Sequence, residues 1–481
     1  MSYSQAIKIA KHLTVTTLLT SLSLSSDLSA NDRPNVVVIV IDDLGYADIS
    51  CMENAAKDVE TPSIDDLAAH GVLFPQGYTS APICNASRVG IMTGAYQQRQ
   101  NVYWYGGEGL SNGKYGTIAE SLKENGYKTG YIGKFHHGST DNVDGRGFPL
   151  NHGFDTFFGF SGGTKHYLKH DVKYVPQNGV NLMYNGPFWN QKEHENVEGF
   201  STEVFGEKAR QFLHAHQEDS FYLHLSFNGV HNFTHQLPDT YLKEKGLNKF
   251  PDFDPKKEDY WKWREMLGYP SCAQGRDYYL GQLHYLDTEI GKVVDEINNL
   301  GIRDNTVIFL ISDNGGSLIT YANNTPLHGG KYTLFEGGVR TPLIVSLPSV
   351  LPENKIDHSI VSTLDLLPTI CDITNTATPQ HVDGISILPF IQSPEKDSPE
   401  RSLFWQTKDE KSVRKGKWKL LITSKNPNKR LQVTPTPKGT FLFDLEADIG
   451  ETTNLATKYP KVVKELALAH KNWSKTMKDS Q

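Results

Sequence analysis

The chain has no excess of basic residues. Its 481 residues carry 48 Lys and Arg against 55 Asp and Glu, a formal net charge of -7. A nucleic-acid partner would need a basic face, so that class is set aside. A mildly acidic surface still admits an anionic substrate, because a few buried cations can decide local binding. Cysteine is scarce: Cys51, Cys84, Cys272 and Cys371 are widely spaced and form no Cys-x-x-Cys pair. That spacing argues against a zinc cluster or a dithiol redox motif, and it leaves open whether any two of them bridge. Beyond the first thirty residues there is no apolar run long enough to cross a bilayer. Internal repeats and long low-complexity segments are also missing, which excludes solenoids and arrays.

Residues 1–30 read as an export signal. Lys8 and Lys11 give a positive start, Leu13 to Leu24 an apolar, hydroxyl-rich run, and Ser29-Ala30 a small-residue end. Kept uncleaved, the same stretch would be a membrane anchor, but it is short and rich in Thr and Ser for a span. The expected location is periplasmic or secreted, with no stable membrane insertion after cleavage.

The next stretch opens with Asn35-Val-Val-Val-Ile-Val-Ile41, a continuous β-branched run suited to a strand buried on both faces. Pro62 to His70 predicts a helix, with Thr61 ahead of it and Gly71 past its end. Thr117 and Glu120 form a capping box before another helix. Strands are predicted at Tyr127–Ile132, Phe221–Phe227 and Thr306–Ile311, and a long helix at Arg276–Leu300. Strands alternating with helices predict an α/β fold with a large, mostly parallel sheet flanked by helices. From about residue 400 the texture changes to short strand-like pieces, Trp418–Ile422 and Thr440–Phe443, followed by a helix from about Pro460 to Lys475. This predicts a smaller C-terminal α+β domain, with the boundary in Pro389–Pro399. The expected organisation is a signal at 1–30, a catalytic domain at 31–390 and a C-terminal subdomain at 391–481.

Polar clusters follow predicted strands four times: Asp42-Asp43, Gly133-Lys134-Phe135-His136-His137, Asn228-Gly229-Val230-His231, and Asp313-Asn314-Gly315. Ligands of open parallel sheets bind beyond the carboxyl ends of the strands, so the four clusters should converge on one edge. An Asp-Asp pair after a strand is often only a cap or turn. Paired with Asp313-Asn314 in the same position elsewhere, Asp42 and Asp43 instead suggest an all-oxygen site for a hard cation, calcium or magnesium. Zinc would normally draw on His or Cys. Cys84-Asn85-Ala86-Ser87-Arg88, followed by Met92-Thr93-Gly94, is the most informative segment. A lone Cys is commonly a buried apolar residue. This one has polar neighbours and opens a predicted helix, whose N-terminus favours anions.

These residues resemble the maturation signature of the formylglycine-dependent sulfatases, arylsulfatase-like enzymes of the alkaline-phosphatase superfamily. The resemblance runs through Asp42-Asp43-Leu44-Gly45-Tyr46, the Lys134 and His136 block, His231, Asp313-Asn314-Gly315, and Gly329 to Gly338 around Lys331, in the family's order. Phe443-Asp444-Leu445 and Glu451 to Leu455 look like its ending. Three departures stand out. Ala86 replaces the commoner Pro, which leaves open which maturation enzyme acts on Cys84. Gly229-Val230 replaces the usual lead-in to His231, and His137 stands where Leu is common.

The resemblance implies a sulfuric ester hydrolase. Cys84 would be oxidised to formylglycine (3-oxoalanine) and would join Asp42, Asp43, Asp313 and Asn314 around calcium, magnesium being the less expected ion. Lys134 and Lys331 would hold sulfate oxygens as compact charges. Arg88, one helical turn from Cys84, would reach back to the modified side chain or a metal ligand. His136 is the expected base and His231 the expected acid, with His235 the alternate. Lys165 and His166 are candidates for a sugar subsite. Tyr103, Trp104 and Tyr105 would stack on a sugar ring or serve the core. The expected substrate is a sulfated carbohydrate, an algal polysaccharide or a glycosaminoglycan fragment. A phosphatase or phosphodiesterase of the same superfamily would share the sheet, but would ordinarily use Ser or Thr and two zinc ions. A non-catalytic sulfated-glycan binder is the alternative outside enzymes.

Overall fold

All seven residues of Asn35–Ile41 are buried, and their side chains divide between two cores. Val37, Ile39 and Ile41 enter one hydrophobic cluster, while Val36, Val38 and Val40 enter another on the opposite face. A strand flanked by apolar layers on both sides reads as an unbroken hydrophobic run because period-two alternation then has no polar face. The computed structural model describes residues 33–104, 109–110, 113–137, 142–170, 186–254, 257–393, 399–424 and 436–478. The expected signal at 1–30 and Tyr105 lie outside the described residues.

The large sheet is built from β1 (Asn35–Ile41), β2 (Val72–Tyr78), β3 (Lys128–Lys134), β4 (Thr156–Phe160), β5 (Phe188–Asn190), β6 (Glu193–Glu195), β7 (Phe221–Ser226), β8 (Thr306–Ser312), β9 (Arg340–Ser346), β10 (Lys355–Ile356) and β11 (Val361–Ser362). Its order is β10-β2-β9-β8-β1-β7-β3-β4-β5-β6, with β11 also on β2. The centre, β8-β1-β7-β3-β4, is parallel throughout. The flanks are mixed: β9 runs antiparallel to both β8 and β2, and β5 to β4. Helices Ser201–Ala215 and Gly275–Asn299 cover one face, and Ile118–Glu124 and Leu366–Ile373 the other. The capping box is formed: Thr117 Oγ1 accepts from Glu120 N, and Glu120 accepts from Thr117 N. The fold is thus a mostly parallel α/β sheet of the alkaline-phosphatase-like kind.

Strand ends differ from expectation by one or two residues, the usual uncertainty at element ends. Ladder pairing carries β3 through Gly133 to Lys134, so that lysine belongs to the strand and not to the loop after it.

A second sheet, β12 (Ser402–Gln406), β13 (Glu410–Lys415), β14 (Trp418–Thr423) and β15 (Gly439–Asp444), is antiparallel in sequential order. Helix Pro460–Lys478 lies on one face, where Leu466 packs with Val413, Leu420 and Leu442. The other face, with Leu403, Trp405, Leu421 and Phe443, packs on Tyr78, Leu334, Phe335 and Val339. All four cysteines are free thiols.

Candidate active site

The parallel register brings the four polar clusters to one edge. Ile41 pairs with Ser312, and Val40 and Gly133 both pair with Ser226, so the residues that follow emerge side by side. The turns are tight. Asp43 and His136 adopt left-handed backbone conformations, φ 63° and 45°. Such conformations in non-glycine residues cost energy and persist where surrounding contacts hold them. Gly133 sits at φ 106°, and a Cβ there would lie 1.8 Å from Ser226 O. No other residue type lets β3 approach β7 this closely.

Asp42, Asp43, Asp313 and Asn314 are all buried. Three cations face them. Lys134 Nζ lies 2.5 Å from Asp42 Oδ2, and Lys331 Nζ lies 2.7 Å from Asp43 Oδ1. Arg88 sets Nε and Nη2 on Asp313 Oδ2 at 2.9 and 2.8 Å, and its Nη1 donates to Lys134 O and Ser226 Oγ. Asn314 Nδ2 donates to Asp43 Oδ1 at 2.7 Å, and Asp43 N donates to Asp313 Oδ1. Buried polar atoms normally find partners. Here Asp42 Oδ1 and Asn314 Oδ1 accept no hydrogen bond. Burial pushes the Asp42 carboxyl up to about 7; Lys134 pulls it down, and Asp313 pushes it further up. Burial also presses Asp313 upward, but Arg88, Lys134 and Lys331 together hold it below the usual carboxylate range.

Cys84 opens the helix Cys84–Thr93, which closes on Gly94 in a left-handed cap. Its Sγ is buried, 3.3 Å from His136 Nδ1. Asn85 Nδ2 donates to His136 O and fixes that loop against the helix. Burial raises the Cys84 thiol above its ordinary value. Burial and then the nearby cations depress both key imidazoles: His136 through Lys134, His231 through Lys331 and Lys134. Both are therefore neutral at pH 7. His231 Nε2 lies 3.7 Å from Asp43 Oδ2. Two sets of ligand atoms, Asp42/Cys84/Asp313 and Asp42/Asp43/His231, each lie within 4.8 Å of one another.

The structure therefore brings Asp42, Asp43, Cys84, Arg88, Lys134, His136, His231, Asp313, Asn314 and Lys331 into one cluster, buried except for the half-buried His136. Lys165 and His166 are engaged elsewhere. Lys165 Nζ donates to Gly186 O and lies 4.3 Å over the Phe188 ring. His166 pairs with Asp252 at 2.9 Å and accepts from Leu168 N and Lys169 N. Both side chains tie their loop to distant stretches of the chain, and His166 acts on the His235 ring electrostatically. Trp104 packs beside Tyr332, ring centres 6.1 Å apart, next to Cys84. Ser226, Asn85, Asn232 and Arg264 were not foreseen. Arg264 lies in helix Tyr260–Leu267 and donates to Asn232 Oδ1 at 3.0 Å, while Asn232 Nδ2 is 3.4 Å from His231 Nε2. Only the aromatic-rich Trp261-Lys262-Trp263-Arg264 stretch could have hinted at it.

Residues 34–376 match the family model described as Sulfatase, and residues 328–476 match that of N-sulphoglucosamine sulphohydrolase, C-terminal. The chain is 28% identical to an N-acetylgalactosamine-6-sulfatase of Mus musculus over 75% of this chain and 67% of that one. It is 27% identical to an N-acetylgalactosamine-6-O-sulfatase of Bacteroides thetaiotaomicron, over 91% and 92% of the two chains. Among solved structures it resembles Ps i-CgsB in complex with k-i-k-neocarrahexaose, at 29% identity and TM-score 0.73, covering 92% of this chain and 93% of the other. With the family model spanning most of its length, the chain belongs to the sulfatase family and is a sulfuric ester hydrolase.

Proposed function

We propose that the protein is an exported sulfatase of sulfated carbohydrates, with Cys84 oxidised to formylglycine and a calcium ion held by Asp42, Asp43, Asp313 and Asn314. The carbohydrate reading draws on the relatives, which are named for N-acetylgalactosamine 6-sulfate or occur in complex with a neocarrahexaose. The supporting observation for the cation is the pair of buried oxygens that accept no hydrogen bond, Asp42 Oδ1 and Asn314 Oδ1, in a cluster of three carboxylates. Carboxylate and amide oxygens suit a hard cation better than zinc. When bound, such an ion supplies positive charge that lowers the pKa of an oxygen beside it. Oxidation of Cys84 would supply a hydrated aldehyde at that position, a nucleophilic oxygen with a second hydroxyl beside it. The thiol described above stands in for that group.

The chain's own residues divide the remaining work. His136 is neutral and 3.3 Å from the side chain at 84, so it is poised to accept a proton there. Lys134 and Lys331 flank the same position and offer compact charges to the sulfate oxygens. Arg88 is locked by four contacts and orients Asp313 and the β3 end. His231 lies across the cluster and is the acid for the leaving oxygen. It is neutral before substrate arrives; the negative ester beside it would raise its proton affinity.

Three measurements test the reading. The intact mass should show the CH2–SH of Cys84 replaced by CH=O. Elemental analysis should find calcium and no stoichiometric zinc. Sulfate should be released from sulfated oligosaccharides, with phosphate release from matched aryl phosphates far slower. An unmodified Cys84 in fully active protein would sink the nucleophile assignment.

A further inference from the structure

Beside His231 the chain builds a second polar cleft that the sulfate-cleaving residues do not use. It is a small, half-open cleft lined by Asn232, His235, Trp263, Arg264 and Thr320 among others. Arg264 makes no carboxylate ion pair among the described residues; it donates to Asn232 Oδ1 at 3.0 Å, bonds Tyr332 and lies 5.8 Å over the Trp261 ring, while Tyr260 and the Asp43 carboxylate act on its charge from farther off. Every other arginine lining this catalytic edge is spent: Arg88 is committed to Asp313. His235 is buried, and its Nε2 has no hydrogen-bond partner. Its ring is held edge-on by Trp263, centres 5.6 Å apart, and by Phe250 on another side. His235 lines the cleft, and a buried imidazole nitrogen without a partner costs free energy; Asp252 and His166 also act on this ring electrostatically.

The cleft is joined to the reaction site. Asn232 connects Arg264 to His231, and Tyr332, the residue next to Lys331, bonds Arg264 directly. Because His231 is placed on the leaving-group side, Arg264 and His235 lie on the side where the sugar continues, away from the sulfate being removed.

We infer that Arg264, His235 and Asn232 form a subsite for a second anionic substituent of the substrate, a sulfate ester or a carboxylate on the same or the adjoining sugar. The planar guanidinium presents paired donors to such an oxyanion. The neutral His235 adds one N–H, and Asn232 holds the fork in place. No covalent step is involved; the subsite selects and orients. Trp263 walls the cleft with apolar surface, which keeps water from competing for the charge. This inference rests on the carbohydrate reading above.

The test compares kcat/KM on three disaccharides that carry the same scissile sulfate: one with a neutral neighbour, one with a second sulfate ester, and one with a uronate carboxylate. The wild-type enzyme should favour at least one anionic partner over the neutral one, and which one identifies the source of the anion. Arg264→Met and Arg264→Gln should each erode that preference by roughly 10- to 100-fold, the loss expected for a hydrogen-bonded charge. Arg264→Lys should retain part of it. Preference is a ratio measured on one protein sample, so partial misfolding cancels. A wild-type enzyme without preference, or a preference that survives both neutral substitutions, overturns the subsite. Turnover of aryl sulfate with none of any sugar would sink the carbohydrate reading instead, and the subsite with it.

Discussion

Lys419 is a test of how the small sheet supports the catalytic edge. Its ammonium is fully buried, 2.9 Å from Glu336 Oε1 and 3.0 Å from Glu451 Oε1. Glu451 Oε2 in turn accepts from Glu336 N at 2.6 Å and fixes the turn that closes the Lys331 loop. Lys419→Met leaves two buried carboxylates short of a cation. Removing one partner of a buried pair costs about 3–5 kcal/mol. The lower end applies here, because Glu336 keeps Tyr78 Oη at 2.5 Å and Arg340 at 3.4 Å. Glu451 keeps the Glu336 N–H, which brings no positive charge. Burial already pushes its carboxyl up to about 7 against the pull of Lys419, and without that lysine it rises further. A carboxyl raised above its unfolded value contributes stability at low pH that is lost as pH rises through the folded value. Lys419→Met should therefore cost about 3 kcal/mol at pH 8 and less at pH 6, the loss growing by up to about 1.4 kcal/mol per pH unit above about 7, where wild-type Glu451 has given up its proton and the variant's has not. Denaturant midpoints at the two pH values measure this, and Lys419→Met/Glu451→Gln should remove the slope. A loss below about 1 kcal/mol at pH 8 would place it among ordinary surface changes and refute the argument. So would a loss that is equal at both pH values.

Cys84→Ala should abolish sulfate release while leaving the unfolding midpoint within about 1 kcal/mol, since little volume is removed; appreciable turnover would mean another nucleophile. His231→Ala should lose about 10²–10⁴-fold on a sulfated sugar, whose alkoxide needs a proton, and far less on nitrophenyl sulfate. Equal losses on the two substrates would remove His231 from the acid role. His152, buried with Nδ1 2.8 Å from Arg146 O, has its proton affinity lowered by burial to about 4. Its unfolded form takes up a proton near 6.5 and its folded form does not, so its contribution is lost as pH falls from about 6.5 toward 4. His152→Gln should make the midpoint less sensitive to pH in that window, by up to about 1.4 kcal/mol per unit; unchanged sensitivity would contradict the burial argument.

The strand-end clusters were legible because the central strands are apolar on both faces and stop abruptly at charged residues. β1 and β8 show this most plainly, running into Asp42 and Asp313. β2 and β9 were not legible. β2 contains Pro75 and shifts register between Phe74 and Gly77, and β9 carries Pro342 near its start. Proline inside a strand reads as a breaker, and only the pairing with neighbours reveals otherwise. Lys165 and His166 had the composition of a binding segment, but their partners Gly186 and Asp252 come from distant stretches that no local pattern announces. Arg264 was invisible for the converse reason. Its helix lies between β7 and β8, and tertiary packing alone carries it to His231.

The charges at the site set an order of events that can be measured. Asp42, Asp43 and Asp313 face Arg88, Lys134 and Lys331, three acids against three bases, around neutral His136 and His231. Without a divalent ion the two lysines are held by Asp42 and Asp43, at 2.5 and 2.7 Å. In that state they are poor partners for a sulfate. A cation taken up by the same carboxylates, as proposed above, would compete for their charge and loosen both ammonium groups. It also disfavours the proton that Asp42, with its carboxyl near 7, binds in competition with the metal. Calcium and sulfate should therefore bind with positive coupling, and linkage requires each to strengthen the other by the same factor. Coupling of this kind is typically worth about 1–3 kcal/mol, or 5–150-fold. Titrating inorganic sulfate into calcium-free and calcium-loaded enzyme measures it directly. The reverse titration, calcium into sulfate-free and sulfate-loaded enzyme, must return the same factor. Lowering the pH from 8 to 6 should weaken calcium binding as Asp42 takes up its proton. Sulfate affinity that is unchanged by calcium would mean that the lysines are already free in solution, and that their pairing with Asp42 and Asp43 does not gate the site.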